Sequence, residues 1–324
     1  MLGVEKIDGA GAILLARLFD RLSTTGRDVH VNEGSNHRAA KLIALYRRCH
    51  SDLPSEAVLS LSLFEKLGSA AAKVPGQAEK VLDFGGRCAS ALPTTIAKPS
   101  SVDWHSLPRL LQQIGADALP VTSVANLLVG AIVGLLGVSQ LKPLGGISFV
   151  PGLVISAHFR ELGPLITAVV IAGRSGAGLA AEIGTMRVSE ETDALQSLGF
   201  DPVRWLVIPR CLALVATLPL LTLLGDMLAI VGGLGATTLT TNMTARTYLM
   251  QTIDHITLSN LFVGLVKTPF LALAIGLIGC GKGLATRGGA AAVGDSTTSA
   301  VVQSILFVVL ISSVATFFAS LIGI

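Results

Sequence analysis

The stretch GLIGCGKG, residues 276–283, holds the most obvious chemical potential in the chain. A glycine, four further residues and then Gly-Lys is how a phosphate-binding P-loop opens. In such a loop backbone N–H groups cradle phosphates, the lysine reaches the terminal phosphate, and a following Ser or Thr hydroxyl holds magnesium. Here Gly283 stands where that hydroxyl belongs. The preceding FLALAIGLI reads as the end of an apolar span and not as a strand, and no acidic strand that could complete a magnesium site is visible. The glycines therefore read as sites of tight helix packing, or of a break where the span ends, with Lys282 as an anchor at the membrane surface. If ATP is used, another chain binds it.

A second set of reactive groups lies inside apolar sequence. Arg160 and Glu161 interrupt AHFRELGP, and Asp226 and Lys267 sit in two later apolar runs. A charge at the bilayer centre costs about 2.5–3.5 kcal/mol even on the mildest scale, so such groups pair or face a polar cavity. A structural ion pair, for instance Glu161 with Lys267, is one reading, and a position near the interface is another. A cavity lining that meets lipid headgroups is a third, compatible with the first. Pro164 breaks or bends the helix beside the pair, and His158 reads as a polar residue near the same cavity. Gly163, Gly173, Gly176, Gly178 and Ala181 read as positions of close helix approach. The other histidines are scattered, with no HExxH and no His/Asp/Ser set, so no catalytic constellation, metal site or cofactor is implied. Cys49, Cys88, Cys211 and Cys280 form no CxxC pair and read as scattered buried thiols.

The elements that must position these groups follow from composition. Of 324 residues 51% are hydrophobic and only 14% charged, against about 25% charged in a soluble domain, and mean hydropathy is +0.68. This is a membrane protein. Most of the charge precedes Asp117, where 14 of the 24 Lys and Arg lie. The net charge of +3 and the absence of basic runs with interleaved aromatics exclude a nucleic-acid partner. MLGVEKIDGAG holds two acids and no long apolar run, which is unlike a signal peptide.

A spanning helix needs about 20 apolar residues, and five runs qualify: 117–141, 147–173, 206–235, 256–281 and 299–323. Arg174, Arg187, Arg204 and Arg210 lie between the second and third, and Lys282 and Arg287 between the fourth and fifth. The other two connections hold only Lys142 and Arg246. The positive-inside rule then places the N-terminal region, the 174–210 loop and the 282–298 loop in the cytoplasm, and Ile324 on the far side. Residues 1–50 read as a small soluble α/β segment, strand–helix–strand–helix. Residues 51–105 read as a linker holding AEKVLDFGGRCASAL. There Glu79, Asp83 and Arg87 share one helix face, and Val81, Phe84, Cys88 and Leu92 the other. Such a helix lies in the membrane interface or is a surface helix packed on a soluble domain.

The loop EIGTMRVSEETDALQSLGFDPVRWLVIPR carries its own punctuation. Ser189 reads as an N-cap with Glu190 and Glu191 in the first turn, Gly199 as the C′ residue after Leu198, and Asp201-Pro202 as the start of the next helix. A short acidic helix on this face is either an ordinary loop helix or a docking element that passes motion from a soluble partner to the spans.

The segment 161–210, ELGPLITAVVIAGRSGAGLAAEIGTMRVSEETDALQSLGFDPVRWLVIPR, resembles the signature region of the MlaE/YrbE-type permeases, the membrane subunits of lipid-transporting ABC systems. LPLLT at 218–222, VKTPF at 266–270 and GGAAAVGDSTTSAVVQS at 288–304 follow in the same order. The resemblance covers about residues 79–324, with the FGGR helix matching the family's interfacial helix. It implies a mainly α, polytopic fold of one interfacial helix and five transmembrane helices, working as a homodimer in the inner membrane. It implies a lipid pocket at the dimer interface near Arg160 and Glu161, with Lys267 at the matching motif of the fourth span. It also implies a coupling helix that docks on a separate ATPase through Glu182, Met186, Ser189, Glu190, Glu191, Asp193 and Leu195, and a periplasmic MCE-domain lipid carrier as a further partner. Residues 1–50 look like the second half of a STAS domain, with IDGAG at its strand-to-helix turn. The strands that family carries before LGVEKIDG are missing here, and Asp8-Gly9-Ala10-Gly11 has no phosphorylatable hydroxyl. STAS–permease fusions occur in this family, and STAS subunits contact the ATPase in related systems. The expected division is thus 1–50 partial STAS-like, 51–105 linker with the interfacial helix, and 106–324 permease. The alternative is a secondary transporter with a STAS regulator; such carriers place STAS after a membrane domain of many more spans.

Overall fold

The structure, a computed structural model, describes residues 83–88, 90, 91 and 103–322. The STAS-like segment 1–50 and most of the 51–105 linker lie outside the described residues.

Five helical stretches are long and apolar enough to cross a membrane: Trp104–Leu144, Ile147–Val188, Val203–Thr240, Leu258–Leu284 and Ala290–Ile322, here spans 1 to 5. Their number matches the sequence reading. Span 1 contains α1 (Leu107–Ile114) and α2 (Leu119–Leu141). Span 2 is built from α3 (Val150–Ala157), α4 (Gly163–Ile171) and α5 (Ala177–Val188), joined by wide π turns at His158–Leu162 and Ala172–Gly176. A short helix, α6 (Glu191–Ser197), links span 2 to span 3, whose main helix is α7 (Ile208–Thr240). At the opposite end α8 (Ala245–His255) leads to α9 (Leu258–Leu284), the fourth span, and α10 (Ala290–Ile322) is the fifth.

Three boundaries differ most from the sequence reading. Span 1, expected from 117, begins at Trp104; span 2, expected to stop at 173, continues as helix to Val188; and span 5, expected from 299, begins at Ala290. Apolar runs stop at the first charge, whereas a helix stops only where its backbone bonds or caps do. Ala, Leu, Glu and Met favour helix through 177–188 whatever the solvent, and Arg174 and Arg187 need only lie near or beyond the hydrocarbon. The expected 174–210 loop is therefore mostly helix.

Glycines set how closely the spans approach. A Cβ on Gly130 would lie 2.2 Å from the Ala229 carbonyl oxygen, and one on Gly232 only 2.0 Å from that of Leu127, so α2 and α7 meet backbone to backbone. Beside this seam, Ile171, Leu214, Leu218, Leu271 and Ile275 build the apolar core shared by spans 2, 3 and 4.

The glycines of GLIGCGKG do the same work. Gly276 faces Cys211 and Leu214, Gly279 faces the backbone of Gly176, Gly281 receives the ring of Phe84, and Gly283 abuts Ile183. All four lie in the last turns of α9, so the near-P-loop is a packing surface in helical backbone and not a phosphate-cradling loop. The sequence reading of Gly163 and Gly176 as packing sites holds, but Gly173 and Gly178 face open space.

Phe84 also shows where the apolar face of the amphipathic helix packs. Residues 83–88, 90 and 91 are helical, with Asp83 and Arg87 exposed and 3.3 Å apart. Phe84, Cys88 and Ala91 are buried, and Phe84 seats against the end of α9. The apolar face is thus packed on the membrane domain. Burial pushes the Cys88 thiol up to about 11, so it stays protonated at neutral pH and fits the structural role read from the sequence.

Replacing Gly279 by Val is expected to lower the yield of monodisperse protein severalfold. Its Cβ would lie 2.9 Å from the Gly176 carbonyl oxygen, and overpacking of this kind costs about 1–3 kcal/mol. Gly178→Ala, with open space around it, should leave the size-exclusion profile unchanged. Equal profiles for the two variants would contradict the packing role.

Candidate functional site

Glu161 and Lys267 converge where spans 2, 4 and 5 meet, with Arg160 beside them, and the backbone of span 2 explains how. Pro164 has no N–H to give to the Arg160 carbonyl four residues back. That carbonyl instead accepts a hydrogen bond from Lys267 Nζ at 2.8 Å. The π turn before Pro164 presents the preceding carbonyl to span 4 as well: a Cβ on Gly264 would lie 1.9 Å from the Phe159 oxygen. Gly264 and Lys267, one turn apart on α9, are thus the residues that let span 4 close on the opened turn.

Lys267 also donates to the Glu161 carboxylate and to Thr316 Oγ1, the latter at 2.8 Å. Its three N–H donors are therefore all used, and its side chain is 2% exposed. Glu161 is held by further hydroxyls from α10. Ser312 Oγ donates to Oε1 at 2.6 Å, and Thr316 Oγ1 reaches Oε2. The structural ion pair inferred from the sequence is present, but the two partners differ in access. Glu161 remains 31% exposed. The Arg160 side chain is half-buried and makes no hydrogen bond or ion pair among the described residues. The arrangement offers one closed cation, one accessible carboxylate and one uncommitted guanidinium. Ser312 and Thr316 were not singled out by the sequence reading, although their four-residue spacing inside an apolar helix is a legible signal.

A second polar cluster crosses spans 1, 2 and 3. Asn126 donates from Nδ2 to the Thr122 carbonyl at 2.9 Å and to Thr167 Oγ1 at 3.1 Å, and its Oδ1 lies 3.2 Å from His158 Nε2. His158 is fully buried and faces Asn126 of span 1. Asp226, which the sequence required to be paired or in a polar cavity, is buried with Oδ1 against Gly163 and unbonded among the described residues.

The residues read as a coupling element gather at the α6 end. Glu182, Met186, Glu191 and Leu195 line one cavity of about 430 Å³ together with Trp205 and Arg210. Arg210 spans it, donating to Glu182 at 2.9 Å and to the Leu206 carbonyl at 2.7 Å. Asp193 lies apart from this cavity, paired with Arg187, which also donates to Thr192 at 3.1 Å. These bonds lash α6 to α5.

The caps differ in part from the sequence reading. Ser189 closes α5 and is not the N-cap of α6: its hydroxyl donates to the Thr185 carbonyl at 3.0 Å. Glu190 is the N-cap, with left-handed backbone (φ 63°). Because α5 runs on to Val188, the chain has to reverse within two residues, and only a left-handed residue at Glu190 achieves this. At the other end Gly199 N–H bonds the Gln196 carbonyl at 2.9 Å and Phe200 N–H that of Leu195 at 3.0 Å, the paired bonds of a Schellman cap. Asp201 then caps span 3, its Oδ1 accepting from Val203 N–H at 3.0 Å, as its position before Pro202 suggested. Leu198, at the tip, is 73% exposed.

Comparison with known proteins gives a consistent result. The model of the permease MlaE family matches residues 108–318. The chain is similar to a probable ABC transporter permease protein of Rickettsia felis, 38% identical over 204 residues, which cover 62% of this chain and 78% of the relative. A probable ABC transporter permease protein of Synechocystis sp. is 37% identical over 196 residues, 60% of this chain and 74% of the relative. The chloroplastic protein trigalactosyldiacylglycerol 1 of Arabidopsis thaliana is 34% identical over 209 residues, 63% of this chain and 59% of the relative.

Lys267→Met is expected to lower the thermal unfolding midpoint of the detergent-solubilised protein, because removing one partner of a buried pair costs about 3–5 kcal/mol. Adding Glu161→Gln should recover at least about half of that loss, since removing both partners is often nearly neutral. Strictly additive losses in this double-mutant cycle would contradict the pairing.

Proposed function

The chain belongs to the MlaE permease family, and on that premise we propose that it is the membrane subunit of an ABC transporter moving phospholipids or related lipids between the inner membrane and a periplasmic MCE-type carrier. Hydrolysis of ATP falls to a separate subunit, and two copies of this chain form the lipid-accepting cavity. The observation that carries the lipid reading is the pairing of an uncommitted Arg160 guanidinium with an accessible Glu161 carboxylate inside apolar spans. Arginine suits the phosphate of a headgroup through bidentate charge-assisted bonds, and Glu161 accepts from polar headgroup hydrogens. Lys267 positions Glu161 without touching the ligand. An apolar face at the start of α9, exposed at Leu258 and Phe262 and continued by Leu261 and Leu265, suits contact with acyl chains. One Arabidopsis relative is named after trigalactosyldiacylglycerol, itself a lipid.

Position along the spans supports a direction of access. Lys267 lies nine residues past the start of α9, about 14 Å from the α8 end. The connections at the α6 end carry most of the basic residues, so this end is read as cytoplasmic and the α8 end as periplasmic. The pocket then lies nearer the periplasmic carrier. The exposed apolar face of span 5, with Val302, Leu306, Val309, Leu310 and Phe317, supports contact with a second copy or with lipid.

The α6 end suits an ATPase partner. Exposed Glu190, Glu191 and Leu198 form its outer surface, while the Arg187–Asp193 and Arg187–Thr192 bonds tie α6 to α5. Because α5 belongs to the same span as the His158–Leu162 turn, a push on α6 is delivered along span 2 to Arg160 and Glu161.

Charge reversal of Glu190 and Glu191 to Lys is expected to reduce co-purification of the ATPase subunit about tenfold while thermal stability of the spans is kept. Arg160→Ala is expected to reduce phospholipid retained by the purified complex severalfold. Unchanged ATPase association in the first variant would sink the coupling role, and unchanged lipid content in the second would sink the headgroup role.

A further inference from the structure

Another cavity of about 640 Å³ opens at the α6 end, and its character is unlike that of the Glu182–Arg210 cavity. Four arginines line it from four separate pieces of chain: Arg87 of the 83–91 helix, Arg187 at the end of α5, Arg204 in the first turn of span 3, and Arg287 just beyond span 4. Asp201 is the one acid among the described residues of the lining. Some of the positive charge is answered locally. Arg187 pairs with Asp193, Arg204 lies 3.4 Å from Asp201, and Arg87 lies 3.3 Å from Asp83 in a pair exposed to solvent. Exposed Arg287 makes no hydrogen bond or ion pair among the described residues, and the buried Arg204 Nε makes no hydrogen bond. The lining therefore carries a surplus of cation.

The same cavity has an apolar part. Phe84, Gly281 and Leu284 contribute to it, and they lie where the 83–91 helix packs on the last turns of α9. Guanidinium groups beside apolar side chains, at the level where a span gives way to polar sequence, match the headgroup and glycerol region of a phospholipid. Basic pockets between membrane helices bind anionic headgroups, and arginine is the side chain whose fork fits phosphate oxygens bidentately. The exposed tip of α6 at Leu198 lies outside this lining.

We propose that this groove binds the phosphate of an anionic phospholipid from the adjacent leaflet, at a site distinct from Arg160 and Glu161. The bound lipid bridges the 83–91 helix, the end of α5 and the segment after span 4, and so ties the amphipathic helix to the base of α6. The site concerns a lipid held in place and not a lipid being moved, and it does not depend on the identity of the transported molecule.

Native mass spectrometry of the full-length protein, delipidated and then titrated with dioleoylphosphatidylglycerol or dioleoylphosphatidylcholine, tests this. Wild type is expected to favour phosphatidylglycerol about tenfold, and Arg87→Gln with Arg287→Gln should remove most of that preference. Arg160→Gln should leave the preference in place, which separates this groove from the transport site. Should the double variant not be recovered, Arg287→Gln alone, at a residue outside any helix, carries the same test with a partial loss. The proposal is overturned by equal retention of the two lipids in wild type, or by a preference that survives the arginine changes. It is also overturned by displacement of the lipid by excess inorganic phosphate, which would make the groove a phosphate-ion site. Loss of ATPase binding in the arginine variants with lipid preference intact would make it a protein interface and overturn it equally.

Discussion

Lys267 brings a full positive charge into the apolar interior, and three spans are arranged around satisfying it. Each of its donors has a different kind of partner: a backbone carbonyl on span 2, a carboxylate on span 2 and a hydroxyl on span 5. The carbonyl is available because Pro164 cannot bond it, and the approach is open because Gly264 has no side chain to block it. Span 5, with much of its surface exposed, is recruited through Ser312 and Thr316. A buried ammonium with any of these partners missing would be left with unmet hydrogen-bonding demand in a place that water does not reach. The geometry of span 2 at Arg160 and Glu161 is a consequence of that demand.

The same span links the two ends of the molecule. It is interrupted twice by wide turns yet remains one helical stretch from Ile147 to Val188, and α6 is bonded back onto it through Arg187. Wide turns are less tightly bonded than α-helix and occur often at functional sites, so they are where such a span changes shape. The glycine seam between α2 and α7 and the closely packed end of α9 surround it with surfaces that leave little room for compromise. The coupling proposed for α6 would have a packed path to follow and a compliant point at which to act.

Much of this was legible in the sequence because it rests on local chemistry. The number of spans followed from apolar runs, the Gly199 cap from backbone preference, and the Glu161–Lys267 pair, one of several readings left open, from the cost of leaving either charge alone. The span ends were less legible, since Ala177–Val188 is helical by propensity and by its packing against spans 4 and 5 while its charges lie outside the apolar run. Ser189 illustrates the limit of cap rules. It suits an N-cap by type, but the preceding helix continues to it and claims it as a terminator, which passes the cap to Glu190. The division of roles within the charged site was not readable either. Nothing in the residue types says that Lys267 is saturated while Arg160 is not; that depends on which carbonyl Pro164 releases and which hydroxyls a distant span supplies.

The proposed function makes one central claim: this chain shapes and opens a lipid path but supplies no chemical energy. The most direct test is phospholipid transfer from proteoliposomes holding this chain, with and without its ATPase subunit and with and without ATP. Transfer is expected only when the second subunit and hydrolysable ATP are both present, with no nucleotide turnover by this chain alone. ATP hydrolysis by the isolated chain, or lipid transfer at full rate in its sole presence, would contradict the account.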